Sequence, residues 1–124
     1  MDIPPIEQQI RRDAGSLAET TAWGSVEWLV REGDPPGAEQ TLALATWAPG
    51  LGNAEHTHPN CEEIVYVLEG TIDHTLGDQS ARLEAGDAIV VPRDVPHRLV
   101  NNGPSPVRTL IVFSSPDRQF VLTE

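Results

Sequence analysis

Residues 50–70 read GLGNAEHTHPNCEEIVYVLEG, and the alternation within this stretch decides the fold. His56 and His58 are two positions apart, so on a strand both imidazoles leave the same face. After the turn-prone PNC, Glu63 opens a second run, in which it shares one face with two valines and Ile64 begins the opposite face. Two neutral imidazoles and a carboxylate on adjoining strands suit a first-row divalent metal ion. The stretch therefore predicts a pair of β-strands that carries a metal site.

Short β-type runs separated by turn signals continue on both sides of this stretch. The chain has 10 glycines and 11 prolines, and they interrupt it at short intervals. The runs between them are rich in β-branched and aromatic residues, and none keeps a helical period over twelve or more positions. They lie at 25–30, 41–47, 63–70, 71–76, 88–91, 97–101 and 108–113. Seven or eight short strands at this spacing predict an all-β sandwich or barrel.

The N-terminal segment carries a weaker pattern. Residues 6–19, IEQQIRRDAGSLAE, are compatible with a short helix or with an extended arm lying on a neighbouring sheet. We therefore predict an N-terminal arm or short helix over residues 1–24 and a β-barrel over residues 25–124.

Composition bounds the class of protein. A chain of 124 residues forms one domain with one modest core. The 19 acidic and 8 basic residues give a net charge of -11, which argues against nucleic acid or an anionic membrane as partner. The single cysteine, Cys61, excludes an internal disulfide. With no secretory signal pattern in MDIPPIEQQI and no apolar run of membrane-spanning length, we expect a cytoplasmic protein.

A third histidine occurs in a second patterned stretch, residues 86–101, which reads GDAIVVPRDVPHRLVN. His97 opens a strand after a turn bracketed by two prolines, and its imidazole could converge on the other two.

The spacing of both stretches resembles the two sequence motifs of the cupin superfamily. In the first, glycine, His56, His58, Glu63 and glycine are separated by five, one, four and six residues. In the second, Gly86 is followed after five residues by a proline, then by Asp94, His97 and Asn101. Asp94 stands where the family usually has glycine, which is a mild departure because aspartate tolerates tight-turn conformations.

The resemblance implies a fold, a ligand set and an oligomeric state. The fold is an all-β jelly-roll barrel of two antiparallel sheets, here with an N-terminal extension. The implied ligands are His56, His58, Glu63 and His97, holding one divalent transition metal ion: iron, manganese, nickel, zinc or copper, with iron preferred. Cupins commonly dimerise through their sheets, so we expect a homodimer.

Two residues near the ligands have alternative interpretations. Glu62 competes with Glu63 as the carboxylate ligand, but strand alternation places Glu62 on the other side. Cys61 is a spectator in the turn or a thiol that supports the site, and only a lowered pKa would make it reactive.

Two residues outside the motifs are also candidates. His74 shares a face with Ile72 and Leu76, so we expect it to point into the barrel. It is then a core histidine hydrogen-bonded to a neighbouring strand, or a general acid/base near the metal. Arg118, in the C-terminal SSPDRQF, is expected to close the barrel mouth or to form a surface pair.

The function predicted from these residues is that of a metal-dependent enzyme acting on a small oxygenated organic substrate, with a dioxygenase preferred. One alternative is a binding module that uses the metal to capture a carboxylate or a sugar. Another is a lyase, isomerase or cyclase that uses a redox-inert ion.

Overall fold

The computed structural model describes residues 1–12 and 18–123, and they form eleven β-strands and one short 3₁₀ helix, Ile6–Gln9. The strands are β1 Ala18–Thr21, β2 Gly24–Val30, β3 Thr41–Trp47, β4 His56–Thr57, β5 Glu63–Glu69, β6 Thr71–Leu76, β7 Gln79–Glu84, β8 Ala88–Val91, β9 His97–Val100, β10 Val107–Phe113 and β11 Val121–Leu122. All seven runs recognised in the sequence are strands. The expected count of seven or eight was wrong, because β1, β7 and β11 are short or polar strands without a clear apolar pattern. The strand predicted at the two histidines is present as β4, but it ends at Thr57, before His58.

The strands form two antiparallel sheets. One has six strands in the order β1-β2-β3-β10-β5-β8, and the other has five in the order β11-β4-β9-β6-β7. Consecutive strands such as β8 and β9 belong to different sheets, so the chain repeatedly crosses between them. The predicted all-β jelly-roll architecture of two antiparallel sheets is confirmed.

The core lies between the sheets and is built by alternation. In β3 and β5 every second residue is buried, which turns Ala43, Ala45, Val65 and Val67 inward. The opposite face of β5 carries Ile64, Tyr66 and Leu68, which are partly exposed. The predicted parity of this strand is therefore correct, and it fixes the direction of Glu63 as well.

The second motif contributes a buried amide that ties loops together. Asn101 is fully buried, and its Nδ2 donates to the carbonyl oxygens of Trp47 at 3.0 Å and Ser105 at 2.9 Å. Its Oδ1 accepts from the backbone N–H of Gly103 at 3.0 Å. Every polar atom of this side chain is thus engaged, so its burial carries little penalty.

Asp94 occupies the turn before β9 with φ of 63°. This left-handed conformation is the one that favours glycine, and aspartate is among the few other residues that adopt it at low cost. The departure from the motif is therefore compatible with the same backbone.

The N-terminal segment combines two of the predicted features. Residues 6–9 form one 3₁₀ turn, and β1 pairs with β2 as an edge strand of the larger sheet. The rest of the predicted helix or arm includes residues 13–17, which lie outside the described residues, and the domain boundary at residue 24 stays a prediction. No helix within the described residues is long and apolar enough to cross a membrane.

Candidate metal centre

Four buried side chains converge between the two sheets. His56 lies on β4 directly opposite His97 on β9, His58 follows one residue after β4, and Glu63 opens β5. One donor atom from each residue lies within 4.8 Å of the donor atoms of the others. Each side chain is at most 3% exposed. The sequence prediction that these four residues lie together is correct, and the set could hold a metal ion.

Main-chain carbonyl groups orient all three imidazoles of this set. Nδ1 of His56 lies 2.7 Å from the carbonyl oxygen of Ala54, and Nδ1 of His58 lies 2.7 Å from that of Gln119. Nδ1 of His97 is 2.9 Å from the carbonyl oxygen of Val95. Because a carbonyl oxygen only accepts, each Nδ1 carries the donated proton and each neutral imidazole turns an Nε2 lone pair toward the centre.

Two buried polar atoms of the centre lack a hydrogen-bond partner among the described residues. Oε1 of Glu63 lies 2.8 Å from Nε2 of His97 and 3.3 Å from Nε2 of His58. Neither Oε1 of Glu63 nor Nε2 of His97 has a hydrogen-bond donor or acceptor partner within residues 1–12 and 18–123. Lone pairs at this separation repel one another unless a cation lies among them. The donor set therefore fits a divalent ion of the first transition row.

The pKa values agree with this arrangement. Burial by itself raises the pKa of Glu63, but the contacts with His58 and His97 outweigh it and lower that pKa to about 2. Burial lowers the pKa of His56 to about 4. Burial also opposes protonation of His97, but the carboxylate of Glu63 outweighs it and raises the pKa of His97. An ionised Glu63 and a neutral His56 are the protonation states that bind a metal ion.

The two alternatives beside the ligands are resolved by burial. Glu62 is exposed, and its backbone N–H donates to Oγ of Ser114 at 2.9 Å. Cys61 is 1% exposed and belongs to the hydrophobic core. Burial raises the pKa of its thiol, so it remains protonated and has the character of a core residue.

His74 points into the barrel as predicted and is 1% exposed. Its ring is parallel to that of His97, with 6.1 Å between centroids. Both of its nitrogens lack a hydrogen-bond partner in the described part of the chain, so the predicted bond to a neighbouring strand is absent there. His74 does not line the cavity described next, and its acid/base role stays a prediction.

A cavity of about 330 Å³ opens onto His56, His58 and Glu63. Five aromatic side chains, Trp23, Trp28, Trp47, Phe113 and Phe120, line it together with small and aliphatic residues and Arg118. Trp23 stacks on Trp47 with 3.9 Å between ring centroids. These rings were not predicted from the sequence as cavity residues, because strand alternation does not show which inward side chains border a space.

Residues 114–122, here called the C-terminal strap, cross the barrel beside the site. Gln119 supplies the carbonyl for His58, and the Phe120 ring stacks on His56 at 4.3 Å between centroids. Asn60 fastens the strap, since its Nδ2 donates to the carbonyl oxygen of Asp117 at 2.7 Å and its Oδ1 accepts from the N–H of Gln119 at 2.8 Å. The contribution of Gln119 was missed, and its main-chain origin leaves no signal in the sequence.

A family model described as a cupin domain matches residues 43–113, which is more than half of the chain. With the sheets and the four converging donors, this match shows that the chain belongs to the cupin domain family.

Known relatives cover several activities. Germin-like protein subfamily 2 member 2 of Arabidopsis thaliana is 39% identical over 80 residues, which is 60% of this chain and 36% of that protein. Among solved structures, the polyketide cyclase RemF from Streptomyces resistomycificus is 25% identical with a TM-score of 0.76, covering 92% of this chain and 84% of its own.

The structure of a recombinant oxalate oxidase in complex with glycolate is 22% identical to this chain, with a TM-score of 0.79. The match covers 96% of this chain and 68% of the oxidase chain. At this identity the likeness shows only that the two proteins share a fold. The chain spans between about a third and three fifths of the length of the curated relatives it matches.

Proposed function

We propose that this protein is a metal-dependent enzyme that acts on a small oxygenated organic substrate, with His56, His58, Glu63 and His97 as the ligands. The observation that carries the proposal is the convergence of four buried metal-ligating side chains at the end of a cavity, where two of their polar atoms have no hydrogen-bond partner among the described residues. The cavity volume of about 330 Å³ lies within the range of small-molecule sites.

A bound ion and the surrounding residues would have different roles at this site. A bound divalent ion would supply Lewis acidity or redox chemistry with dioxygen. The three imidazoles and Glu63 hold the site in place, and the carbonyl partners keep each imidazole in the tautomer that binds. The aromatic walls exclude water from the cavity and present flat apolar surfaces to a substrate.

The ligand set is tested by the metal content of purified variants. We expect the double variant His56→Ala/His58→Ala to lose stoichiometric metal, measured by elemental analysis, because half of the donor set is removed. The matched control is Glu62→Gln, which alters the exposed carboxylate beside Glu63 and should keep the full metal content. Unchanged metal in the double variant would show that the ligand assignment is wrong.

Oxygen-dependent chemistry of the dioxygenase type is our first candidate reaction, because three imidazoles and one carboxylate accommodate redox-active iron. The second is cyclisation, isomerisation or lysis with a redox-inert ion. The aromatic cavity favours it, as does the likeness to the polyketide cyclase RemF over most of both chains.

Turnover of a panel of small carboxylates and phenols, followed with and without oxygen alongside elemental analysis, separates these candidates. Bound iron with oxygen-dependent turnover supports the first. Bound zinc with oxygen-independent turnover supports the second and eliminates the first. If the protein bound one of these compounds stoichiometrically but turned over none of them, with or without oxygen, it would instead be a carboxylate- or sugar-binding module.

We also propose a homodimer that pairs through the outer face of the six-stranded sheet. Ile64, Tyr66 and Leu68 on β5 and Val90 on β8 are all more than a third exposed. They lie side by side, with Ile64 opposite Val90 in the register. A contiguous apolar patch of this kind is typical of an interface between proteins.

A further inference from the structure

Arg118 has an unusual position for a charged side chain. Its guanidinium carbon lies 4.9 Å from the ring centroid of Phe113, 5.3 Å from that of Trp28 and 5.6 Å from that of Phe120. The side chain is half-buried and lines the cavity that opens onto the candidate metal centre. Three aromatic faces therefore hold its stem and its planar head in one place, and this reduces the entropy lost when the guanidinium binds a partner.

The guanidinium of Arg118 has no carboxylate partner within 4.0 Å among residues 1–12 and 18–123. The half-buried Arg11 differs, because it pairs with Asp34 at 2.9 Å. The remaining described arginines without such a partner, Arg31, Arg93, Arg98 and Arg108, are exposed to water. Arg118 thus combines partial burial with free donors, a state that an anion relieves.

The charges around the cavity also favour an anion once the metal site is filled. A divalent ion held by Glu63 and the imidazoles would leave a net positive charge at the inner end, and Arg118 adds a second positive charge. Glu19 is the other carboxylate that lines the cavity, and it lies exposed at the rim. Exposure lets solvent screen Glu19, so its repulsion is weaker than the attraction of the partly desolvated Arg118.

We propose that Arg118 binds the anionic group of the substrate and that the substrate is a flat aromatic anion, such as an aromatic carboxylate, seated between the aromatic walls of the cavity. The inference rests on the proposed function for its reaction, and it adds the substrate class and the residue that selects it. Planar guanidinium groups match carboxylates through two parallel N–H···O bonds, and tryptophan and phenylalanine faces accept flat rings.

The competing explanation is that Arg118 only fastens the strap through its aromatic contacts. The two roles predict different ligand preferences. A fastening residue does not distinguish a neutral ligand from a charged one of the same shape, whereas an anion-binding residue does. Benzoate and benzamide are suitable probes, because they share a ring and a planar substituent and differ in charge.

The test measures the affinity of both probes by tryptophan fluorescence in the purified metal-containing protein. All three tryptophans of the chain line the cavity, so their emission reports its occupancy. We expect benzoate to bind the wild-type protein more tightly than benzamide. Arg118→Met should weaken benzoate about 10- to 100-fold while leaving benzamide within a few-fold, as for loss of a hydrogen-bonded charge pair. Arg118→Lys should retain part of the preference, and the exposed control Arg108→Met should retain all of it.

Either of two results would overturn the inference. One is a benzoate preference that survives in both Arg118 variants, and the other is wild-type protein that does not bind benzoate at millimolar concentration. Metal content and unfolding temperature are measured on the same samples. A preference that depends on Arg118 in a protein without a metal site would refute the proposed function alone. A full metal site with no role for Arg118 would refute this inference alone.

Discussion

At the scale of single residues, the candidate site depends on which nitrogen of each histidine carries a proton. His56, His58 and His97 donate Nδ1–H to carbonyl groups, and Nε2 of His58 and of His97 lies within 3.3 Å of Oε1 of Glu63. His74 sits beside them without such a partner in the described chain and is buried all the same. Burial lowers its pKa to about 4, so it remains neutral in the folded protein when an unfolded chain would protonate it.

His74 should therefore make stability depend on pH. Between pH 6.5 and pH 4 the unfolded state takes up a proton that the folded state refuses, so stability falls as the pH falls through this range. We expect His74→Leu to reduce the loss of unfolding free energy between pH 7 and pH 5 by about 2 kcal/mol. Urea unfolding of the metal-free protein at both pH values measures this.

A core control separates titration from packing in that experiment. Leu99 is the cross-strand neighbour of His74, and Leu99→Met alters the core without removing a titratable group. The pH dependence of the stability of Leu99→Met should match that of the wild type. Both proteins retain His56, whose lowered pKa adds to the loss of stability at low pH, and His97, whose raised pKa opposes that loss. The same pH dependence in His74→Leu as in the wild type would mean that His74 is protonated in the fold.

At the scale of elements, the sequence predicts those strands whose two faces differ in chemistry. The bounds of β3, β6 and β8 are correct to the residue, because inward apolar and outward residues or clear turns define them. β7 was missed because one of its six residues, Leu83, is buried and the rest are exposed. The spacing of the two histidines predicts a strand at β4, but its length of two residues is set by its pairing with β9 and β11.

The C-terminal strap is the element that ties a ligand to the rest of the barrel. Asn60→Ala removes two hydrogen bonds that hold it, so the carbonyl of Gln119 becomes less firmly placed against His58. We expect metal binding to weaken about 10-fold, which is typical when a hydrogen bond that orients a metal ligand is lost. The unfolding free energy should fall by about 1–2 kcal/mol. Competition with a chelator measures the affinity.

The matched control for this variant removes an amide that does not contact the strap. Asn102→Ala removes an exposed side chain whose Nδ2 donates to Asp73 on β6 at 2.7 Å. It should leave the metal affinity unchanged. Equal metal affinity in Asn60→Ala and the wild type would show that the strap does not support His58.

At the scale of the whole molecule, the sequence identifies the barrel and the four converging donors, but not the cavity. Spacing and parity relate His56, His58 and Glu63 to one another, whereas the place of His97 among them was expected from the resemblance to the cupin motifs. The cavity needs Trp28 on β2, Phe113 on β10 and Arg118 on the strap at once. Such a space is a product of long-range packing, and no local pattern encodes it.

The apolar outer face of the six-stranded sheet leads to a prediction for the assembly. We expect the wild-type protein to sediment at twice its chain mass of 13.5 kDa, and Tyr66→Glu to sediment at the single mass, because a buried unpaired charge is costly at an interface. Analytical ultracentrifugation measures both masses. Ser80→Glu, on an exposed position of the five-stranded sheet, should remain dimeric. A wild-type protein at the single mass would refute this dimer.

The carbonyl groups that accept hydrogen bonds from the three imidazoles affect which substitutions the site can tolerate. They belong to Ala54, Val95 and Gln119, and each amino acid carries the same main-chain oxygen. Codon changes at these three positions therefore leave the acceptors themselves in place, whereas one change at a ligand removes a donor outright. The metal ligands are side chains, so a single substitution can remove one of them. The hydrogen-bond acceptors behind the ligands are main-chain carbonyl groups, so the amino acids at those three positions can change while the acceptors are retained.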